Sequence, residues 1–162
     1  MARRHVIFGI AAASALALDQ LTKLLARAWL TERHVVDFIP GFWSWYLSYN
    51  RGMSFGFLRD TPGARFLLVA VALAACVAIV IILWRKTTNA RGWLAAGLGL
   101  VFGGALGNAI DRLFAGEVTD FILWRIGDLY THNPFNVADA ALVIGVFVLL
   151  IDPGKKKDEP TA

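Results

Sequence analysis

Residues 64–84, ARFLLVAVALAACVAIVIILW, decide what kind of protein this chain is. After Arg65 the stretch carries no charge, and it ends at Trp84, Arg85 and Lys86. An aromatic and basic border of this kind is typical of a membrane interface. About 20 consecutive apolar residues in a helix cross the hydrocarbon core of a bilayer. The sequence therefore predicts a transmembrane helix here.

The composition of the whole chain points to the same class of protein. Of its 162 residues 57% are hydrophobic and 17% are charged, which lies well to the apolar side of an ordinary soluble domain. Three further apolar stretches occur at approximately 5–30, 92–115 and 136–152. We therefore predict an all-α membrane protein with four transmembrane helices in one domain, 1–152, followed by a charged cytoplasmic tail, 153–162.

The first apolar stretch is similar to a cleavable signal peptide, because Arg3 and Arg4 precede an alanine-rich region. However, Asp19, Lys23 and Arg27 continue the segment at helical spacing. No small-residue cleavage site closes a short apolar core. We interpret the segment as a retained helix.

The basic residues predict the orientation of the chain in the membrane. The net charge is +4, but the lysines and arginines stand in short clusters between apolar runs, so topology explains them better than nucleic-acid binding does. The clusters on one predicted side are Arg3 with Arg4, Arg85 with Lys86 and Arg91, and the lysines at 155–157. The positive-inside rule places both termini in the cytoplasm and residues 31–63 and 116–135 outside. Four arginines in the outer segments leave this bias incomplete.

The first outer segment, 31–63, is aromatic and is broken by glycine and proline. Its residues alternate in part around FWSWYLSY, 42–49, which predicts short strands or an amphipathic platform at the membrane surface. The tryptophans and tyrosines of this stretch suit an interfacial belt as well as they suit direct contact with a substrate.

Two polar clusters are predicted in the outer half of the membrane. Asp19 and Lys23 are four residues apart and share one helix face. Asn108, Asp111 and Arg112 share a face in the last two turns of the third span. Charge at membrane depth is costly and usually functional. The alternative is structural, with the Asp19–Lys23 and Asp111–Arg112 pairs holding the helices together.

Two further acids flank the last loop. Asp120 lies in GEVTDFI, 116–122, just outside the third span, and Asp139 lies near the start of the fourth, where it suits a helix-capping role as well. Because the loop must turn back, the two carboxylates can approach each other. Two carboxylates forced together hold one proton between them. The ionised acid then removes a proton from water while the protonated one binds the scissile carbonyl, which is aspartic peptidase chemistry.

Other chemistries find less support in the sequence. The three histidines lie far apart and there is one cysteine, so neither a zinc ligand set nor a disulfide framework is present, and no phosphate-binding glycine loop occurs. We expect no metal and no cofactor. A dyad of Ser54 and Lys23 lacks a nucleophile elbow. A small membrane ion channel or transporter, or a non-enzymatic membrane scaffold, remains the alternative, although an ion path favours polar residues through the whole membrane depth.

Five short motifs resemble those of the lipoprotein signal peptidase family, also called signal peptidase II, in order and spacing from 18 to 140. They are LDQLTK (18–23), YNRGMSFGF (49–57), GGALGNAIDR (103–112), VTDF (118–121) and FNVADA (135–140). The resemblance implies an aspartyl peptidase of the bacterial inner membrane, with four helices, an outward-facing site and a small β-rich extracytoplasmic cradle that fits residues 31–63.

The resemblance also implies a reaction and a set of site residues. Family members remove the signal peptide from prolipoproteins after the lipobox cysteine has received a diacylglyceryl group, and they leave that cysteine as the new N-terminus. The catalytic pair becomes Asp120 and Asp139. The supporting residues become Asp19, Lys23, Asn50, Gly52, Asn108, Arg112 and Asn136. The implied partners are the lipid-modified prolipoprotein, the phospholipid bilayer and the cyclic peptide inhibitor globomycin.

The implied supporting roles differ between the residues. We expect Asn108, Arg112 and Asn136 to orient the dyad or the substrate backbone, and Asp19 with Lys23 to fix the first helix beside them. Two features depart from the family or compete with its pattern. Gly56 stands where the family more usually has serine, and Asp128 offers a rival carboxylate within 122–134. We interpret Asp128 as a solvated loop acid.

Overall fold

The computed structural model of the protein describes residues 2–52, 61–85 and 92–151. The predictions that concern Ser54, Gly56, Lys86, Arg91 and the tail lie outside these residues. Within them the chain forms four helices, α1 (Ala2–Trp29), α2 (Ala64–Arg85), α3 (Gly92–Phe114) and α4 (Val137–Leu150). It also forms four strands, β1 (Val35–Ile39), β2 (Trp43–Asn50), β3 (Val118–Ile126) and β4 (Tyr130–Thr131).

The helices confirm the predicted fold class. The segments Arg3–Trp29, Ala64–Arg85 and Gly92–Phe114 are long and apolar enough to cross a membrane. Helix α4 has 14 residues and therefore extends about 21 Å, less than the roughly 30 Å of a hydrocarbon core. It is shorter than the predicted span of 136–152 because Asn136 and Ile151 are its caps rather than helical residues.

Helix α3 lies at the centre of the bundle and packs against α1, α2 and α4. Glycines make this position possible. A Cβ atom on Gly103 would lie 2.5 Å from the carbonyl oxygen of Ala12, and one on Gly104 would lie 2.5 Å from that of Ala138. The backbones of α1 and α4 therefore approach α3 more closely than any side chain allows, as in many membrane helix pairs.

Helix α2 stands at the edge of the bundle. Its buried side chains, including Cys76 and Ile79, face α3. Most of its other residues are exposed and apolar, among them Phe66, Val71 and Val77. Such a continuous apolar surface suits contact with lipid.

The strands form one antiparallel sheet in the order β1-β2-β3-β4. The predicted β-rich region at 31–63 contributes β1 and β2, but β3 and β4 come from the second outer segment, where the sequence analysis assigned no strand. The first four residues of β3 are all buried, so the strand lacks the alternation of polar and apolar residues that identifies a half-exposed strand.

The sheet is fixed against the outer end of α1. Phe121 of β3 packs with Leu47 of β2 and Ala26 of α1. Arg27 donates from Nε to Thr119 Oγ1, at 2.9 Å. The sheet therefore holds the start of β3, and Asp120 with it, beside the helical bundle.

Candidate active site

Asp120 lies in β3, opposite Ser48 of β2, and is 3% exposed. Each of its carboxylate oxygens accepts a hydrogen bond from a side-chain amide. Asn136 Nδ2 donates to Oδ1 at 2.7 Å, and Asn50 Nδ2 donates to Oδ2 at 3.2 Å. Neutral amides rather than cations thus hold this buried acid.

Asp139 is the third residue of α4 and completes a capping box with Asn136. The Asn136 side chain accepts from the Asp139 amide nitrogen at 2.9 Å, and the Asp139 side chain accepts from the Asn136 amide nitrogen at 3.3 Å. The capping role that the sequence allows for Asp139 is therefore present. Its other oxygen, Oδ1, accepts from Asn108 Nδ2 at 2.8 Å.

Asn136 joins the two aspartates. Its side chain is fully buried, and its Nδ2 donates to Asp120 while its Oδ1 and backbone nitrogen hold Asp139. Both carboxylates are thus fixed by one residue at the start of α4. The predicted approach of the two acids across the last loop is present in the structure.

The surroundings of Asp120 favour its protonated form. Burial, followed by the negative charge of Asp139, raises the pKa of Asp120 from 3.8 to about 7, although the hydrogen bonds from Asn50 and Asn136 act in the opposite direction. At neutral pH this acid therefore exists in both protonation states. One proton shared between two neighbouring carboxylates is the arrangement that aspartic peptidases use.

A second group of ionisable residues, the ion-pair cluster, consists of Asp19, Lys23, Arg27 and Asp111. Lys23 Nζ lies 2.8 Å from Asp19 Oδ2 and 3.1 Å from Asp111 Oδ2. Arg27 Nη2 lies 3.2 Å from Asp111 Oδ1. The cluster joins α1 to α3, and Asp111 also accepts from the Thr119 amide nitrogen, which joins both helices to β3.

The ion pairs of Asp111 differ from the structural alternative predicted from the sequence, in which Asp111 pairs with Arg112. The Asp19–Lys23 pair exists, but Asp111 is bound by Lys23 and Arg27, not by Arg112. Residues i and i+1 on a helix do not face each other, which is the physical reason why the Asp111–Arg112 pair does not form.

Arg112 points away from the ion-pair cluster. It donates from Nη2 to the Gly52 carbonyl at 2.9 Å and from Nη1 to the Asn108 carbonyl at 3.4 Å. The Gly52 amide nitrogen in turn donates to Asn50 Oδ1 at 3.0 Å, which directs Nδ2 of that amide to Asp120. In the described part of the chain the buried Nε of Arg112 has no hydrogen-bond partner.

Asp128 lies apart from the two aspartates. It is exposed in the turn between β3 and β4, and β3 extends about 20 Å from Asp120 to Ile126. No site role was predicted for Arg27, for Thr119 or for Gln20. The Gln20 side chain donates to Asp19 and to Asp111. The spacing of Asp19, Lys23 and Arg27 on one face of α1 contained the signal for Arg27.

The sequence of this chain is similar to those of proteins of one known family. The family described as signal peptidase (SPase) II matches residues 11–153. A lipoprotein signal peptidase of Pseudomonas putida is 40% identical over 148 residues, covering 90% of this chain and 86% of the relative. A lipoprotein signal peptidase of Xylella fastidiosa is 43% identical over 131 residues, covering 80% of this chain and 77% of the relative.

Solved structures match the fold as well. A bacterial membrane enzyme determined by the in meso method at 2.3 Å resolution superposes with a TM-score of 0.81. It is 30% identical, and the match covers 94% of this chain and 93% of that one. A second bacterial membrane enzyme, at 1.9 Å resolution, is 28% identical with a TM-score of 0.77 and coverage of 91% and 92%.

Proposed function

The chain belongs to the signal peptidase II family and is a membrane protease that removes signal peptides from lipoproteins; we propose that Asp120 and Asp139 are its catalytic residues. The observation that carries this proposal is the single buried amide of Asn136, which donates to Asp120 and, as the N-cap of α4, accepts from the backbone nitrogen of Asp139. A channel or a scaffold needs no pair of acids that share a proton.

The two acids divide the chemistry between them. Asp120, whose pKa is about 7, holds the proton and donates it to the oxygen of the scissile carbonyl. Asp139, whose carboxylate accepts from Asn108 and from the backbone of Asn136, removes a proton from the attacking water.

The reaction then proceeds in two steps. In the first, the water oxygen attacks the carbonyl carbon, Asp139 receives a water proton and Asp120 protonates the carbonyl oxygen, which gives a gem-diol. In the second, the C–N bond breaks, Asp139 passes its proton to the leaving nitrogen and Asp120 takes back a hydroxyl proton. Both acids return to their starting states, and no acyl-enzyme forms.

The substrate in this proposal is a prolipoprotein whose lipobox cysteine carries a diacylglyceryl group, cut on the N-terminal side of that cysteine. Both acids lie where the sheet meets the ends of α3 and α4, so a peptide helix in the membrane reaches them at its end rather than at its middle. Arg112 binds the Gly52 carbonyl and so holds Asn50, which donates to Asp120, in place beside the substrate.

The same proposal includes the placement of the protein in the cell. The basic residues Arg3, Arg4 and Arg85 lie at the end of the bundle remote from the sheet. The positive-inside rule then puts both termini in the cytoplasm and the aspartates on the outer side of the inner membrane. We also expect globomycin to compete with the substrate for the space beside Asp120 and Asp139.

The experiment is cleavage of a purified diacylglyceryl-modified prolipoprotein by detergent-solubilised wild type, Asp120→Asn and Asp139→Asn, with folding checked in parallel. Loss of a general acid or base lowers turnover by about 10² to 10⁴-fold. Near-normal turnover by either folded variant overturns the assignment of that residue. Ion flux through sealed vesicles that depends on these acids, without any cleavage by wild type, favours the channel instead.

A further inference from the structure

The Asn108 side chain connects the ion-pair cluster to the aspartates. Its Oδ1 accepts from Lys23 Nζ at 3.0 Å and from Asn136 Nδ2 at 3.2 Å. Its Nδ2 donates to Asp139 Oδ1 at 2.8 Å. One buried amide therefore receives hydrogen bonds on its oxygen from two residues and gives one to the proposed general base.

The direction of this amide matters, because a carboxylate only accepts hydrogen bonds. If the amide were turned by 180°, its oxygen would face the Asp139 carboxylate and its NH₂ group would face two donors. Asn136 cannot turn to compensate, because its own oxygen accepts from the Asp139 backbone nitrogen. The productive direction thus depends on what lies beside the Asn108 oxygen.

Lys23 is the charged group among those that set this direction, beside the neutral amide of Asn136. An ammonium group has three donors and no acceptor, so it binds only the oxygen side of an amide. It is fully buried, and Asp19 from α1 and Asp111 from α3 hold it in place from two helices. Asp19 also accepts from the Ala138 amide nitrogen at 2.9 Å, which fixes α4 to the same cluster.

We propose that Lys23 is a positioning residue for the peptidase reaction, which holds the Asn108 amide in the one orientation that donates to Asp139. This inference rests on the proposed role of Asp139. Lys23 makes no hydrogen bond to Asp120 or Asp139 within the described residues, and its hydrogen-bonded connection to Asp139 passes through Asn108. It raises turnover by keeping the Asp139 carboxylate in the orientation that the hydrogen bond from Asn108 sets, and it does not change substrate affinity.

The test separates this role from simple stabilisation of the bundle. Lys23→Met alone leaves two buried carboxylates with one guanidinium, and breaking a buried ion pair is strongly destabilising. The test variant therefore combines Lys23→Met with Asp19→Asn, so that Asp111 and Arg27 remain a balanced pair. The second variant combines Lys23→Gln with the same Asp19→Asn change, because the glutamine amide binds either side of Asn108 and no longer favours one direction.

The measurement is kcat and KM for cleavage of the diacylglyceryl-modified prolipoprotein. Both variants are expected to lose about tenfold to a hundredfold in kcat with KM within about twofold, which corresponds to one hydrogen bond to a charged group. Glu32→Gln is the control for activity. It removes one partner of an exposed ion pair with Arg33, touches neither the ion-pair cluster nor Asn108, and is expected to leave kcat within about twofold of wild type.

A double-mutant cycle tests whether Lys23 acts through Asn108. In an Asn108→Ala background, the Lys23→Met and Asp19→Asn pair is expected to change kcat by less than about twofold. The same full loss in both backgrounds overturns the proposal, as does wild-type kcat in a folded Lys23 variant. These outcomes differ from failure of the proposed function, in which Asp139→Asn itself stays active.

Discussion

Two acidic pairs lie side by side at the outer end of the bundle, and the protein holds them in opposite ways. Asp19 and Asp111 are each within 3.1 Å of the Lys23 ammonium, and Asp111 also binds Arg27. Asp120 and Asp139 accept from the side chains and backbone of asparagines. Among the described residues, no ion pair within 4.0 Å involves either of them.

This difference in bonding partners suggests different roles for the two pairs, one structural and one in proton transfer. Two cations balance the acids of the ion-pair cluster, and the resulting contacts hold α1, α3 and β3 together. Amides orient the aspartates but do not neutralise them, which leaves one carboxylate able to exchange a proton. Burial alone therefore does not mark a catalytic acid; the kind of donor around it does.

The largest expected effect is a loss of stability when an acid of the ion-pair cluster is replaced. Asp111→Asn leaves Lys23 and Arg27 with one carboxylate between them and turns an NH₂ group towards a donor. We expect the free energy of unfolding to fall by about 3–5 kcal/mol. Unfolding of the solubilised protein in increasing denaturant measures it.

The matched control for this change is Glu117→Gln, which removes an exposed ion pair with Arg51 in the same outer region. It is expected to cost less than about 1 kcal/mol. If both variants lose equally little, the ion-pair cluster is not the structural support that we infer.

The second effect has the opposite sign. The pKa of Asp120 rises on folding from 3.8 to about 7, so the wild type loses stability as the pH increases through this window. Asp120→Asn removes the ionisation, so its stability relative to wild type is expected to be about 1–2 kcal/mol higher at pH 8 than at pH 4. Thermal unfolding midpoints of both proteins at the two pH values measure this. The same difference between variant and wild type at both pH values contradicts the raised pKa of Asp120.

The smallest expected effect concerns the third kind of acid, Asp128. It is exposed in the turn between β3 and β4, so solvent screens its charge. Asp128→Asn is expected to leave turnover within about twofold and stability within about 0.5 kcal/mol of wild type. Cleavage and thermal unfolding assays check both. A loss as large as that of Asp139→Asn makes Asp128 a competing catalytic acid.

The sequence predicts the helices well because a membrane span is a local property. The uninterrupted apolar run of α2 requires no knowledge of its neighbours. Strand β3 is different, since its identity comes from pairing with β2, more than 60 residues earlier in the chain, and from burial on both faces. The end of α4 was also missed, because capping by Asn136 and Ile151 is a matter of backbone geometry.

The sequence predicted some of the neighbours within the site and not others. Loop topology alone brings Asp120 near Asp139, and helical spacing puts Asp19 beside Lys23. Arg112 was the wrong partner for Asp111, since neighbouring residues of a helix do not face each other, and the contact with Lys23 and Arg27 depends on how α1 and α3 pack. The direction of each asparagine amide has no signal in the sequence, although it decides which acid receives a donor.

The capping box of Asn136 and Asp139 makes the positions of both aspartates depend on the first turn of α4. Helix ends open and close constantly, and amide hydrogen exchange reports how often. When the first turn of α4 unwinds, the hydrogen bonds between Asn136 and Asp139 break. The hydrogen bond from Asn136 to Asp120 is then no longer held in place, so one local event affects both acids. The exchange rate of the Asp139 amide proton therefore reports how readily this capping box opens.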